Sequence, residues 1–207
     1  MKHLEKLQTL LPLGYLYLVV LGILKETAFL YQLDINILKY SSIMDVLMSP
    51  IATMMSHPVI LGVIVLVFFM GYHLPSFIYK NAHKKWVQQV FELQKLNKDL
   101  SDAETKNHYL FFSVQFTAFF LLSIYLGFGF AEGRMNSKKM KEGKLKYNYE
   151  LTYTDGQSKT VSLIETNSVY YFYVTKGEKT VTIAPIGGIK DIRQISKAKN
   201  KARALNP

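Results

Sequence analysis

The sequence contains no cysteine, which excludes disulfide bonds, thiolate metal sites and cysteine nucleophiles. It also lacks the HExxH, GxSxG, Walker A and dinucleotide-binding glycine patterns that mark common enzyme sites. Five histidines are present, and their spacing matches no metal-ligand motif; they are His3, His57, His73, His83 and His108. We therefore predict a protein that is not an enzyme and that uses no cofactor and no metal ion.

Formal charge is also missing from two long apolar stretches, residues 58–79 and 109–130. A membrane-spanning helix needs about 20 mostly apolar residues, so both stretches qualify. A third run extends from Leu7 to about Leu24, or past Lys25 and Glu26 to Tyr31. This run is longer than a usual signal-peptide core, and no small-x-small cleavage site follows it, so we predict a retained span. The helical part, residues 1–133, then has three transmembrane helices.

Between the first two spans lies a half-apolar segment, residues 34–57, which includes the stretch DINILKYSSIMDVLMSP. A crossing here would bury Lys39 and Asp45, and each central charge costs about 2.5–3.5 kcal/mol on an insertion scale. Three N-cap signals favour short helices instead: Ser42 with Asp45, Ser49 before Pro50, and His57 before Pro58. We predict an interfacial or re-entrant segment that does not cross the membrane.

The connector between the second and third spans has apolar residues three or four positions apart, which predicts an amphipathic helix over residues 80–100. The arm that returns to the third span is much shorter, because Ser101 and Glu104 form a capping box that starts a helix near Asp102. The connector should therefore lie along the membrane, with Trp86, Lys84 and Lys85 near lipid headgroups. An upright helix packed on a partner is the alternative.

Charge is unevenly divided, since residues 132–207 hold 15 of the 25 Lys and Arg but seven of the 15 acidic residues. A basic linker, residues 134–146, follows the third span directly and has no interleaved aromatic residues. Contact with anionic lipid explains it more simply than nucleic-acid binding does. The basic residues expected to contact lipid or a partner are Arg134, Lys138, Lys139 and Lys141.

Beyond the linker the pattern becomes alternating, and turn signals such as TDGQ and KGEK separate four predicted strands, with a fifth possible after two glycines. Residues 147–195 are thus expected to form a small all-β domain, either a meander or an SH3-like barrel. Alone it would be marginally stable, so we expect it to pack on the connector helix or on another copy. Residues 196–207 read as a flexible tail.

Two polar residues lie inside predicted spans at similar depth, His73 in the second and Gln115 in the third. They are predicted to form a polar pair that fixes the packing of the two helices, and a proton or ion site is the alternative. Gly129 and Gly133 match a GxxxG pattern but are interpreted as a helix end. Glu26, Asp34 and Asp45 are read as solvated interfacial acids, with cation binding or an acid–base pair as the alternative.

Positive charges are balanced between the two sides of a three-span topology, eight against eight. The shorter connector carries more weight in the positive-inside rule, which favours an N-terminus inside and a β-domain outside.

Two segments together resemble a family. Leu33–Leu47 (LDINILKYSSIMDVL) and the C-terminal Ser168–Ile192 are similar to small uncharacterised bacterial membrane proteins with an aromatic-rich first span and a C-terminal β-hairpin domain. The resemblance implies a bacterial cytoplasmic (inner) membrane.

The predicted function is an accessory or scaffolding subunit that self-associates or binds a membrane protein partner. The alternatives are an oligomeric pore or membrane-perturbing effector, for example in phage defence, and a membrane enzyme using Asp34, Asp45 or His57.

Overall fold

The chain combines a helical part with a five-stranded antiparallel sheet near its C-terminus, as the sequence predicts. The computed structural model describes residues 2–91 and 102–195. Its α-helices are α1 (Lys2–Tyr31), α2 (Ile43–Ser56), α3 (Pro58–Asn81), α4 (Lys85–Val90) and α5 (Asp102–Lys141). Its strands are β1 (Tyr149–Tyr153), β2 (Ser158–Thr166), β3 (Tyr170–Thr175), β4 (Thr182–Pro185) and β5 (Ile189–Gln194). The helices α1, α3 and α5 are long and apolar enough to cross a membrane.

The chain divides into two compact units. The first unit contains the chain up to Pro50 and from Leu126 onwards; the second contains Ile51–Tyr125. The sheet therefore belongs to the same compact unit as α1.

In the first unit, α1 and the C-terminal part of α5 run side by side in the same direction. The Cα of Gly129 lies against the carbonyl of Lys25, and the Cα of Gly133 lies one turn further on, against the carbonyl of Phe29. A side chain at either glycine would overlap these backbone atoms. The GxxxG pair is thus a helix contact, and the interpretation as a helix end is wrong.

One side of the sheet packs on these helix ends. The shared core joins residues from α1, the segment after it, α5 and β3, namely Phe29, Leu30, Leu33, Ile37, Met140 and Val174. A second core within the sheet is formed by Leu151, Val161, Tyr173 and Ala184. Since Tyr173 and Val174 are adjacent on β3, they point to opposite sides, and the sheet is apolar on both.

The sheet order is β4-β3-β2-β1-β5, so the first four strands form a meander and β5 returns to pair with β1. A short 3-10 turn at Ile186–Gly188 precedes β5. Between β2 and β3 the register shifts after Leu163, so that Leu163 pairs with Tyr173 while Glu165 pairs with Phe172. Ile164 is the extra residue of a β-bulge.

The interfacial segment contains a 3-10 turn at Ile37–Lys39 and a single helix, α2. Ser42 and Asp45 form the predicted capping box: the Asp45 N–H donates to Ser42 Oγ at 3.1 Å, and the Ser42 N–H donates to Asp45 Oδ2 at 2.9 Å. The prediction of a second N-cap at Ser49 is wrong, because Pro50 lies inside α2. The predicted start of α3 at His57-Pro58 is confirmed.

In the second unit, α3 and the N-terminal part of α5 are antiparallel. Ser113 Oγ donates to the carbonyl of Gly71, and further along the pair Ile78 packs with Tyr109. The described connector is not one helix from residue 80. Lys80 and Asn81 end α3, the Asn81 side chain donates to the Phe77 carbonyl, and α4 begins after a break. Residues 92–100 of the predicted helix, and Ser101 of the capping box, lie outside the described residues.

The predicted basic linker is mostly helical, because α5 continues through Lys141. Lysines in the last turn of a helix interact favourably with its macrodipole, which supports the extension. The helix ends before Gly143, whose φ of 67° suits a left-handed cap.

Candidate functional site

The most unusual site in the described chain is a buried group of charges where the sheet meets α1 and α5. We call it the junction cluster and define it by Lys25, Glu26, Ser49, Glu132 and Glu165. Lys25 and Glu26 are only 5% and 7% exposed. Charged side chains are seldom buried to this extent unless they are paired.

Lys25 and Glu26 form an ion pair of adjacent residues, with Lys25 Nζ 2.8 Å from Glu26 Oε1. Neighbours in sequence do not normally face each other on a helix, so both side chains must bend toward one space. The Lys25 ammonium also lies 5.6 Å from the centroid of the Phe29 ring. From α2, Ser49 Oγ donates to the same Glu26 oxygen. The second oxygen, Glu26 Oε2, is buried and has no hydrogen-bond partner among the described residues.

Glu165 reaches this cluster because of the bulge in β2. In a regular strand Ile164 and Glu165 would point to opposite sides. Here Ile164 packs against the core shared with the helices, while Glu165, half-buried, interacts electrostatically with Glu26, Lys25 and Glu132. The bulge therefore turns a second, charged residue toward the helices.

The cluster holds more negative than positive charge, with three carboxyl groups against one ammonium group. Burial, followed by the nearby Glu26 carboxylate, raises the pKa of Glu165 from 4.5 to about 7, against the opposing effect of Lys25. The described His, Asp and Glu side chains include no group of three that could hold a metal ion. The excess of carboxyl groups and the raised pKa of Glu165 make the cluster suited to taking up a proton.

Close helix packing creates the space in which these charges are buried. Gly129 and Gly133 let α5 approach α1 at Lys25 and Phe29, and Gly22 lets the Val46 carbonyl of α2 approach one turn earlier. Sequence reasoning treated Glu26 as a solvated acid, and the structure corrects this. The available signal was the GxxxG pattern, which indicates close contact of α5 with another helix but does not identify that helix.

A second feature anchors the β2–β3 hairpin to the segment before α2. Asn167 Nδ2 donates to the Tyr40 carbonyl at 2.9 Å, and Asp45 accepts the Ser168 N–H at 2.9 Å and the Ser168 hydroxyl at 3.0 Å. Tyr40 also stacks edge-on against Tyr170, with ring centroids 5.5 Å apart. We call these contacts the hairpin anchor.

The hairpin anchor explains Asp45 as a structural residue. Partial burial would raise its pKa, but hydrogen bonds from Ser42 and Ser168 outweigh that effect and hold the pKa below its usual value. Asp34 is exposed and has a φ of 61° in the turn that follows α1. Of the three acids grouped by sequence, only Asp34 is a solvated surface group.

The two polar residues of the predicted spans, His73 and Gln115, are both exposed in the second unit. The His73 ring lies 4.4 Å from the Phe69 ring and 5.1 Å from the Tyr72 ring, centroid to centroid. In the part of the chain described, no hydrogen bond joins His73 to Gln115. Contact between α3 and α5 is made instead by smaller groups, where Ser113 and Thr117 meet Gly71.

The predicted lipid-contacting residues are all exposed. Trp86 is 50% exposed and lies 6.1 Å from the Phe77 ring, while Val87 on the other side of α4 is fully buried. Lys84 and Lys85 precede Trp86 at the surface. The remaining basic residues lie on the last turns of α5, where Lys138 is 3.9 Å from Glu142: Arg134, Lys138, Lys139 and Lys141.

Comparison of the chain with models of protein families, with curated proteins and with solved structures finds no match.

Proposed function

We propose that this is an integral membrane protein that holds a small β-domain in a set orientation at the bilayer surface and acts as an accessory or scaffolding subunit. The hairpin anchor carries the proposal. Side-chain hydrogen bonds and an apolar core tie the sheet to α1, α2 and α5, whereas a flexible tether would leave it free to rotate. A fixed orientation serves a domain that presents a surface to another protein.

Membrane insertion is supported by the apolar surface of the long helices. The candidate span in α3 is 22% buried and that in α5 is 17% buried. Soluble monomers rarely expose such continuous apolar surface, whereas lipid tails would cover it. The exposed apolar residues include Val59, Val65, Leu66, Phe68, Phe69, Phe111, Val114 and Phe119.

The finer architecture proposed for the β-domain is an SH3-like barrel. A meander whose fifth strand returns to pair with the first, after a 3-10 turn, has the strand order of such barrels. Barrels of this kind commonly present loops and a groove for binding peptides. The proposed membrane is the bacterial cytoplasmic (inner) membrane, with anionic headgroups near Lys84, Lys85 and the basic end of α5.

Self-association can be tested on the full chain reconstituted in lipid nanodiscs or purified in mild detergent. Light scattering coupled to size exclusion should give a mass of two or more copies, or of one copy with a membrane protein partner that co-purifies. A strictly monomeric particle with no co-purifying protein contradicts the proposal.

The second candidate function is an oligomeric pore, which is favoured by the exposure of two polar side chains within largely apolar candidate spans. His73 and Gln115 would face the path between copies. The test is ion flux from liposomes. His73→Leu combined with Gln115→Leu should abolish flux if the pore exists, while Ser123→Ala, which removes another exposed polar group from α5, should leave it unchanged. No flux from wild-type liposomes, or flux unchanged in the double variant, removes this candidate.

A further inference from the structure

We propose that the junction cluster is a proton-binding site, in which Glu165 takes up one proton while the protein stays folded and thereby strengthens the contact between the sheet and α1. The inference goes beyond the scaffolding function and does not depend on it, because it concerns the charge state of a site within one compact unit.

The first argument is the charge count at the site. Lys25 and Glu26 neutralise each other through their 2.8 Å ion pair. This leaves Glu132 on α5 and Glu165 on β2, both half-buried, and among the described residues Lys25 is the cation that acts on Glu165. Two uncompensated carboxylates in a partly desolvated space repel each other, and the repulsion is relieved when one of them binds a proton.

The second argument is the hydrogen-bonding capacity of Glu26. Its Oε1 accepts from both Lys25 Nζ and Ser49 Oγ, while its Oε2 is buried without a partner in the part of the chain that the structure describes. Buried polar atoms are nearly always satisfied, so an orphaned carboxylate oxygen beside other carboxyl groups indicates a missing donor. A protonated carboxyl group supplies an O–H donor, which an ionised one cannot.

Among the described residues, the charged groups that act on Glu165 lie on two packed helices. Glu26 and Lys25 face it from α1, and Glu132 faces it from α5. The Thr166 N–H of its own strand donates to Glu165 Oε1 at 3.3 Å and stabilises the ionised form. Burial and the two glutamates outweigh Lys25 and this hydrogen bond, which raises the pKa of Glu165 to about 7.

The bulge links the protonation of Glu165 to the packing of the sheet on the helices. Ile164 and Glu165 both belong to the bulge; Ile164 contributes to the apolar core, and Glu165 to the charged cluster. When Glu165 loses its proton, its charge adds to the negative cluster on α1 and α5 and pushes on the strand that carries the hairpin anchor. The site thereby couples proton binding to the docking of the sheet.

Infrared difference spectroscopy of the full chain in nanodiscs tests this directly. Between about pH 8.5 and about pH 6, exposed carboxylates stay ionised, because their pKa values lie near 4. The wild type should gain the C=O band of one protonated carboxyl group across this range. Glu165→Gln should lose that band, whereas Glu178→Gln, which removes an exposed carboxylate from the β3–β4 turn, should keep it.

A second variant keeps the test informative if Glu165→Gln perturbs the fold. Glu132→Gln removes one repelling charge and should shift the midpoint of the band to lower pH while its amplitude stays the same. Absence of the band in the wild type, or its survival in folded Glu165→Gln protein, overturns the proposal. An unchanged midpoint in Glu132→Gln contradicts the charge argument.

Discussion

At the scale of single residues, the contact between α1 and α2 depends on a proline and a glycine acting together. Pro50 has no N–H, so the Val46 carbonyl lacks the usual hydrogen bond from the residue four positions on. That carbonyl instead lies against Gly22 of α1, where a Cβ would overlap its oxygen. The missing side chain at Gly22 allows the approach that places Ser49 on Glu26.

Gly22→Ala should therefore destabilise the first unit, because the new methyl group overlaps the Val46 backbone. We expect a loss of about 1–3 kcal/mol, the usual cost of overpacking. Gly14→Ala is the matched control, since it lies in the same helix with no atom near the new Cβ, and it should change stability by about 1 kcal/mol or less. Thermal unfolding in detergent measures both, and equal effects of the two substitutions would argue against the close contact.

Glu165 should determine whether the stability of the fold rises or falls with pH. The pKa of Glu165 is about 7 in the folded chain, against an ordinary value of 4.5 for a glutamate in the unfolded chain. The folded state therefore binds more protons than the unfolded state between these two pH values. Stability should then fall as pH rises from about 4.5 to about 7. Glu165→Gln should flatten this slope and raise the unfolding temperature above neutral pH. A slope unchanged by the substitution would contradict the assignment to Glu165.

The buried state of Glu26 could not be predicted from its position in the sequence. It follows Lys25 at the end of an apolar run, where a solvated interfacial charge is the ordinary expectation. Its surroundings include Ser49 of α2 and the carboxyl group of Glu165, which lies far along the chain and faces the helices because of a bulge. A one-residue shift in strand register leaves no periodic signal in a short strand.

At the scale of elements, the hairpin anchor joins the two segments on which the family resemblance rests. Leu33 and Ile37 enter the core shared with the sheet, and Tyr40 packs on Tyr170 and Phe172 of β3. The two segments therefore form one packed structure built from distant parts of the chain. Its apolar and aromatic positions are explained by packing.

Asn167→Ala should loosen the start of α2. It removes the hydrogen bond to the Tyr40 carbonyl and the two that Asn167 Oδ1 accepts from the N–H groups of Val169 and Tyr170, each worth about 0.5–1.5 kcal/mol. Amide hydrogen exchange over residues 37–46 should become at least about tenfold faster.

Asp155→Ala provides the control for that experiment. Asp155 also accepts a backbone N–H two residues on, from Gln157 at 2.9 Å, but in the β1–β2 turn and without a described bond to a helix. This substitution should leave exchange over residues 37–46 unchanged. Equal acceleration in the two variants would mean that a general loss of sheet stability, and not the anchor, controls α2.

The strands and turns were predictable from alternation and turn residues, because these signals are local. The extent of α2 was harder to predict, because Pro50 was interpreted as the start of a helix. The fixed φ of proline is also compatible with a helix interior, provided that the Val46 carbonyl, which loses its helical hydrogen bond, can lie elsewhere. Here it lies against Gly22. The break in the helix after Asn81 was also not predicted, because the apolar spacing in the sequence continues across it. In the structure, the Asn81 side chain donates a hydrogen bond to the Phe77 carbonyl at the end of α3.

At the scale of the whole molecule, helix lengths constrain how the chain can cross a bilayer. A hydrocarbon core is about 30 Å thick, and α2, with 14 residues, spans about 21 Å. The 40 residues of α5 span about 60 Å, so this helix extends well beyond the core. Three crossings by α1, α3 and α5 would leave α2 on the same side as the sheet, which agrees with the hairpin anchor at its first turn.

The absence of cysteine makes this topology directly testable, since single cysteines can be introduced without removing any native thiol. Exposed positions are available before α2, at the last residue of α2, in the β1–β2 turn and in the connector: Lys39→Cys, Ser56→Cys, Gln157→Cys and His83→Cys. In sealed cells, a membrane-impermeant maleimide should label the first three and spare His83→Cys, because the favoured orientation has the sheet outside. The opposite pattern would reverse the orientation and keep the three crossings. Labelling of Lys39→Cys and Ser56→Cys from different sides would mean that α2 crosses the membrane, and labelling of His83→Cys and Gln157→Cys from the same side would mean that α5 does not.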